Sequence, residues 1–308
     1  MLTRGLLKKG FLIFSSLFIL FILYLFPTKE NTQINENENI IPETSIYLID
    51  NHNYVSRVSV AINNKDQETK IKEIINYLTI DSPSSSYIKE GFNPIIPKNT
   101  KLLSVQIDEN LVKVNFSKEF LNISAELEDK MISSIIYSLT SLDNINKVSI
   151  YIEDSLLIAM PHSKISLSPT LDRSYGINKV YDLTEVKGTT KTTVYYLSRY
   201  KDYYYYVPVT MVNNSNKDKI EIIIEELTSK AIYQTNLISY LNDAKKISYE
   251  ITDEYVLIKL NSELYHDLNE SNLIESVIYS INYSIKENYN IKSVMYMIDE
   301  IIIKNYFI

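Results

Sequence analysis

The chain has few residue types that could do chemistry, and their spacing argues against most of it. The three histidines, His52, His162 and His266, stand far apart, and none belongs to an HExxH or comparable pair. There is no cysteine, which excludes thiolate ligands, a cysteine nucleophile, disulfides and a lipid-bearing cysteine. Glycine occurs only as Gly5, Gly10, Gly91, Gly176 and Gly188, so neither a GxSxG elbow nor a Gly-rich phosphate loop is present. Carboxylate pairs such as Glu119 with Glu126, or Glu225 with Glu226, have the type needed for acid–base work. They fall on polar helix faces or at helix starts, where solvation and the helix dipole account for them. The run Tyr203, Tyr204, Tyr205 and Tyr206 is the candidate interaction surface. On a strand, alternate rings project from one face, and such rings pack in a core, meet a protein partner or stack on sugars. No catalytic, cofactor-binding or metal-ligating residue is assigned, and the chain reads as non-enzymatic, with no cofactor.

Composition bounds the class. Hydrophobic content is 45% and charged content 22%, which fits folded domains rather than a disordered chain. A net charge of -7 leaves no basic footprint, so nucleic acid is not an expected partner. Only five Gly and no Trp stand against 26 Tyr, a bias that an AT-rich genome would write.

Residues 10–26, GFLIFSSLFILFILYLF, carry no charge. As a helix they span about 26 Å, near the lower limit for a hydrocarbon core of ~30 Å. Arg4, Lys8 and Lys9 precede them, so the positive-inside rule keeps residues 1–9 in the cytoplasm and sends the rest outside. Pro27-Thr-Lys-Glu lacks the small-x-small cleavage pattern, which predicts an uncleaved, single-pass anchor in the cell membrane. Residues 27–43 are Asn- and Glu-rich without periodicity and read as a flexible tether.

The remainder is one unit written twice. In the first copy, 44–163, Ile46–Ile49 and Val58–Ile62 read as strands. A helix follows near Gln67–Thr79, with Ile71, Ile74, Ile75 and Leu78 on one face. After a long loop to Pro94 comes a hairpin of Lys101–Ile107 and Leu111–Phe116, then a helix near Ser124–Leu142 and an alternating strand, Lys147–Glu153. The second copy, 189–308, repeats this. Aligning Ile107 with Ile251 places Val112, Val114 and Phe116 on Val256, Ile258 and Leu260. Ile220, Ile223, Ile224 and Leu227 repeat the first helix face, and Ile136-Tyr-Ser-Leu aligns with Ile278-Tyr-Ser-Ile. A linker, 164–188, is too apolar for a free tether and is expected to pack on the domains. The expectation is an α/β (α+β) fold: two tandem two-layer α/β sandwich domains, each roughly β-β-α-β-β-α-β.

Several stretches together resemble the GerMN domain of bacterial sporulation and spore-germination proteins. They are IPKNTKLLSVQI, VKVNFSKEF, IYSLTSLDNINKVSIYIED, the linker LDRSYGINKVYDL, TTKTTVYYLS and YYVPVT. The resemblance covers about residues 44 to 300 as two tandem domains. It implies modules like those that build rings in secretion and sporulation complexes, and a non-enzymatic role at the mother cell–forespore envelope. It also implies partners among envelope or sporulation-complex proteins, with cell-wall peptidoglycan as the alternative. Two departures stand out: there is no cysteine to lipidate, and Asp154 is followed by Ser155 where the family often has Gly.

Overall fold

Each half of the chain opens with a hairpin, and the two hairpins meet to build one sheet. A computed structural model describes residues 43–307 except 65, 186, 230–236, 239, 242–246 and 272. The expected anchor at 10–26 lies outside the described residues, as does the tether up to 42. Among the described residues no helix is long and apolar enough to cross a membrane.

Strand β1 (Glu43–Asp50) pairs antiparallel with β2 (Val55–Ala61), with Ile46 opposite Val58. Asp50 closes the turn, its carboxylate accepting from the backbone N–H groups of His52 and Tyr54 and from the Ser56 hydroxyl. Helix α1 (Gln67–Leu78) starts at Asp66, which caps the Thr69 N–H, and buries Ile71, Ile74, Ile75 and Leu78. A short β3 (Phe92–Asn93) returns to the free edge of β1. The hairpin β4 (Leu102–Asp108) and β5 (Leu111–Phe116), helix α2 (Ala125–Leu139), β6 (Lys147–Ile152) and β7 (Ser155–Leu156) complete the first half. The linker carries β8 (Val180–Asp182). The second half runs β9 (Thr190–Tyr200), β10 (Tyr203–Asn213), α3 (Lys219–Thr228), β11 (Ile247–Ile251), β12 (Tyr255–Leu260), α4 (Ser262–Glu270), α5 (Ile274–Asn288), β13 (Ser293–Ile298) and β14 (Ile301–Phe307).

The expected element order is present in both halves, with additions: β3 and β7 in the first, α4 and β14 in the second. The two-layer description holds only in part. β1 and β2 join β10, β9, β3 and β8 in a six-stranded sheet shared by both halves, and each half keeps its own four-stranded sheet, β4-β5-β6-β7 and β11-β12-β13-β14. Helix α2 therefore meets β1 on one side and β6 on another, and Met131 to Leu139 are all buried.

Serines in the middle of the helices complete the edge of the shared sheet. Ser138 accepts the Tyr47 N–H at 2.8 Å, and Ser134 donates to the Tyr47 carbonyl. In the second half Ser284 accepts the Tyr195 N–H at 2.8 Å, and Ser280 donates to the Tyr195 carbonyl. One i, i+4 pair of hydroxyls thus satisfies the outward backbone groups of one tyrosine in each half. This corrects the helix alignment: Ser134 and Ser138 correspond to Ser280 and Ser284, so Tyr137 falls on Tyr283 rather than Tyr279. The sequence match at Tyr279 is displaced by one helical turn.

The repeated hairpins agree in detail. β5 pairs parallel with β6 at Val112–Val148, and β12 with β13 at Val256–Val294. Their inward faces are closed, but the outer strands are not: Ile107 is 39% exposed and Ile251 41%. The apolar alternation of those strands marks sheet edges rather than core.

Removing a hydroxyl at the edge of the shared sheet should strand a buried N–H. Ser138→Ala and Ser284→Ala are each expected to cost about 1–3 kcal/mol in denaturant unfolding. Equal stability of both variants with the parent would contradict the assignment.

Candidate functional site

The tyrosine run singled out from the sequence lies on β10, at the seam with the first half. Tyr206 stands opposite Arg57 of β2, the one residue pair that joins the two hairpins directly. Tyr205 is buried and donates to Asp50 at 3.0 Å, and it accepts from Ser198 at 3.0 Å. Tyr203 donates to the Glu90 carbonyl, lies under Lys89, and packs with Tyr205 around Phe92. Tyr204 meets Tyr240, and Tyr206 meets Tyr283. As expected of a strand, Tyr203 and Tyr205 share one face. Both faces are engaged within the chain. Gly91 has φ +96, and a Cβ there would meet the Tyr200 ring at 2.9 Å, so this loop needs glycine to approach β9.

The linker holds the seam together. Asn178 donates to the carbonyls of Val55 on β2 and Pro208 on β10, and accepts the Val55 N–H at 2.9 Å. Pro208 has no N–H to satisfy where the two strands part. The Ile177 carbonyl accepts the Thr210 N–H, the Ile177 N–H donates to the Thr210 hydroxyl, and β8 continues parallel to β10. Tyr175 and Lys179 both reach Asp129, and Glu128 accepts the N–H groups of His162 and Ser163. Asp129 thus clamps the linker, and Glu128 holds the residues just before it.

Beside the seam lies a cleft of about 280 Å³ lined by both halves and the linker. Arg173 forms its floor. Its Nε donates to Thr140, one terminal nitrogen to the Tyr137 carbonyl and Ser141, and the other to Glu287 at 2.5 Å. The Arg173 guanidinium also lies 4.7 Å from the Tyr137 ring centre. The Glu287 side chain is only 5% exposed, and it also accepts from the Tyr195 hydroxyl, which bonds the Tyr47 hydroxyl. Burial pushes the Tyr195 hydroxyl well above the ordinary phenol range, and Glu287 pushes it further, so it stays a donor. Nothing in the sequence spacing joins Arg173 to Glu287. The only signal was that a linker carrying a lone Arg amid apolar residues has to place it somewhere.

The other sequence candidates are dispersed. His52 is exposed in the β1–β2 turn, His162 offers its backbone to Glu128, and His266 sits 3.2 Å from Glu270 on an exposed helix face. Glu225 pairs with Lys217, and Glu226 accepts from Tyr196. Among the described residues no group of three His, Asp or Glu is placed to hold a metal ion.

Comparison with known proteins agrees with this architecture. Residues 45–157 match the family model described as "Germane: Sporulation and spore germination". The chain is 31% identical over 247 residues to the spore germination protein GerM of Bacillus subtilis (strain 168), an alignment covering 77% of this chain and 67% of that protein. The chain belongs to the Germane family of sporulation and spore-germination proteins. A solved structure of the tandem GerMN domains of the sporulation protein GerM from Bacillus subtilis superposes with a TM-score of 0.72 at 28% identity. It covers 84% of this chain and 91% of that one, so the structural likeness runs through both halves. A role in sporulation and germination, and the tandem-domain fold, follow from this membership.

Two measurements test the junction. Arg173→Met strands Glu287, and is expected to cost on the order of 2–3 kcal/mol after allowing for the partial exposure of Arg173. Pairing it with Glu287→Gln should cost less than the sum in a double-mutant cycle, and strict additivity would deny the coupling. Glu128 supplies the second. Burial opposes its charge, but hydrogen bonds from Ser163 and His162 outweigh this and hold its carboxyl below the usual carboxylate range. Its stabilisation is therefore present above the unfolded-state pKa and lost as pH falls through the folded value. Glu128→Gln should lower the melting temperature at pH 7, with the difference shrinking below about pH 4.

Proposed function

We propose that the chain is a non-enzymatic, membrane-anchored envelope protein that acts in sporulation and germination by presenting a rigid domain pair to partner proteins at the mother cell–forespore envelope. The observation that carries this reading is where apolar side chains remain uncovered. Among the described residues each four-stranded sheet ends in an open strand. Leu103 and Ile107 are exposed on β4, Ile251 on β11, and Ile301, Ile302 and Phe307 on β14, the last at 85%. Open strand edges offer backbone donors and acceptors to a neighbouring chain, and apolar side chains beside them favour a protein neighbour over water. The two copies of one hairpin keep the same core while their surfaces differ, which suits two domains that dock different partners.

The anchor at 10–26 fits this role, since tethering to one surface raises the effective concentration of weakly docking partners. A peptidoglycan-binding role would rest on Tyr203–Tyr206, and their rings are packed against other side chains of this chain, so the assembly reading is preferred.

The test is site-specific photo-crosslinking from the full-length chain during spore formation in its host. Crosslinkers at Ile301 and Ile107 should capture envelope proteins, and one at His266 should not. Ile301→Lys should reduce capture without changing the unfolding midpoint. Expression confined to vegetative growth, with no envelope protein captured from either edge, would overturn the proposal.

A further inference from the structure

The cleft beside the seam carries more positive charge than its architecture uses. Three cationic side chains line it, Arg57, Arg173 and Lys286, against the single carboxylate of Glu287. Glu287 is bound to Arg173, so that pair is neutral. Among the described residues, Arg57 and Lys286 make no ion pair or hydrogen bond through their charged groups. The Arg57 guanidinium lies 4.3 Å from the Tyr283 ring centre, a contact that uses none of its N–H donors. Tyr283 is fixed in turn by Tyr206 at 5.0 Å and Tyr195 at 5.5 Å. Lys286 stands one helical turn beyond Tyr283 on α5 and is exposed. Glu43 acts on Tyr283 electrostatically but does not line the cleft. An unpaired guanidinium held against a fixed ring is pre-organised, and a surface that served packing alone would have no need of it.

We propose that this cleft binds the oxyanion of a small ligand, a carboxylate or phosphate group, between Arg57 of the first domain and Lys286 of the second. The volume of about 280 Å³ lies near the lower end of ligand sites and suits one such group on a short chain. Arg57 supplies a bidentate fork, Lys286 a mobile charge, and the rings of Tyr47 and Tyr283 apolar walls. Because Arg57 and Lys286 belong to different domains, the ligand would bridge the seam and stabilise the domain pair. That makes thermal stability a direct reading of occupancy.

The experiment uses the full-length chain with two probes, inorganic phosphate and N-acetyl-alanine, at constant ionic strength balanced with sodium chloride. Melting temperature should rise along a saturating curve with at least one probe, and direct titration calorimetry should give the same dissociation constant. Phosphate alone would assign a phosphorylated ligand, and N-acetyl-alanine alone a carboxylate; either supports the site. Arg57→Gln and Lys286→Gln should each weaken binding about tenfold, the loss of one charge-assisted contact. Lys98→Gln, an exposed lysine outside the cleft, should change nothing. Lys286→Gln keeps the test sound if Arg57→Gln disturbs the seam. Absence of saturable binding by both probes, or equal binding by the Lys286→Gln variant and the parent, would overturn the proposal.

Discussion

A β-strand has two edges, and each buried N–H and carbonyl along them must find a partner. That constraint organises this molecule. The hairpins β1–β2 and β9–β10 are too small to stand alone. Their outer edges are closed at Tyr47 and Tyr195 by paired serines from α2 and α5. Their inner edges meet at Arg57 and Tyr206, where Asn178 fills the gap that a full ladder would occupy. Two domains solved in this way become one body, and the described chain from residue 43 onward forms a single compact unit.

The charged network follows from the same geometry. Bringing two hairpins edge to edge leaves a cleft at one end of the seam, and Arg173 from the linker fills its floor. Its bonds to Thr140 and Ser141 on one side and Glu287 on the other tie three segments of chain to one planar group. Such a pair adds little to net stability compared with apolar packing, but it penalises any arrangement in which either partner is stranded. It therefore fixes orientation more than it adds stability. A fixed pair of domains can hold two docking edges at a set separation, which a flexible pair cannot.

Much of the fold was legible because burial imposes period. Val112, Val114 and Phe116, and their copies in β12, alternate strictly because one face meets helices. Ile71, Ile74, Ile75 and Leu78 mark a helix with one apolar side. The period misled where two patterns coexist. Helix α5 carries Tyr-Ser twice, at Tyr279 and Tyr283, and only the hydrogen bonds to Tyr195 choose between them. The shared sheet was not legible, because strand pairing between Arg57 and Tyr206 leaves no trace in local sequence. Nor was the cleft, which draws single residues from β2, the linker and α5. Tyr203–Tyr206 was visible as unusual, but its role depends on what β10 faces, and that is decided by topology. The acids Glu128 and Asp129 gave no sequence signal of their partners, which lie more than thirty residues away, just before and within the linker.

The claim that the two domains form one rigid body is the one on which the rest turns, and the absence of native cysteine makes it directly testable. Gln106→Cys on β4 and Asn305→Cys on β14 place single labels on exposed strands of the two domains. Pulsed electron spin resonance between them should give one narrow distance distribution in the parent chain, and a broader one when Arg173→Met is added. A broad or multi-peaked distribution in the parent, unchanged by Arg173→Met, would show domains that move independently and would contradict the account.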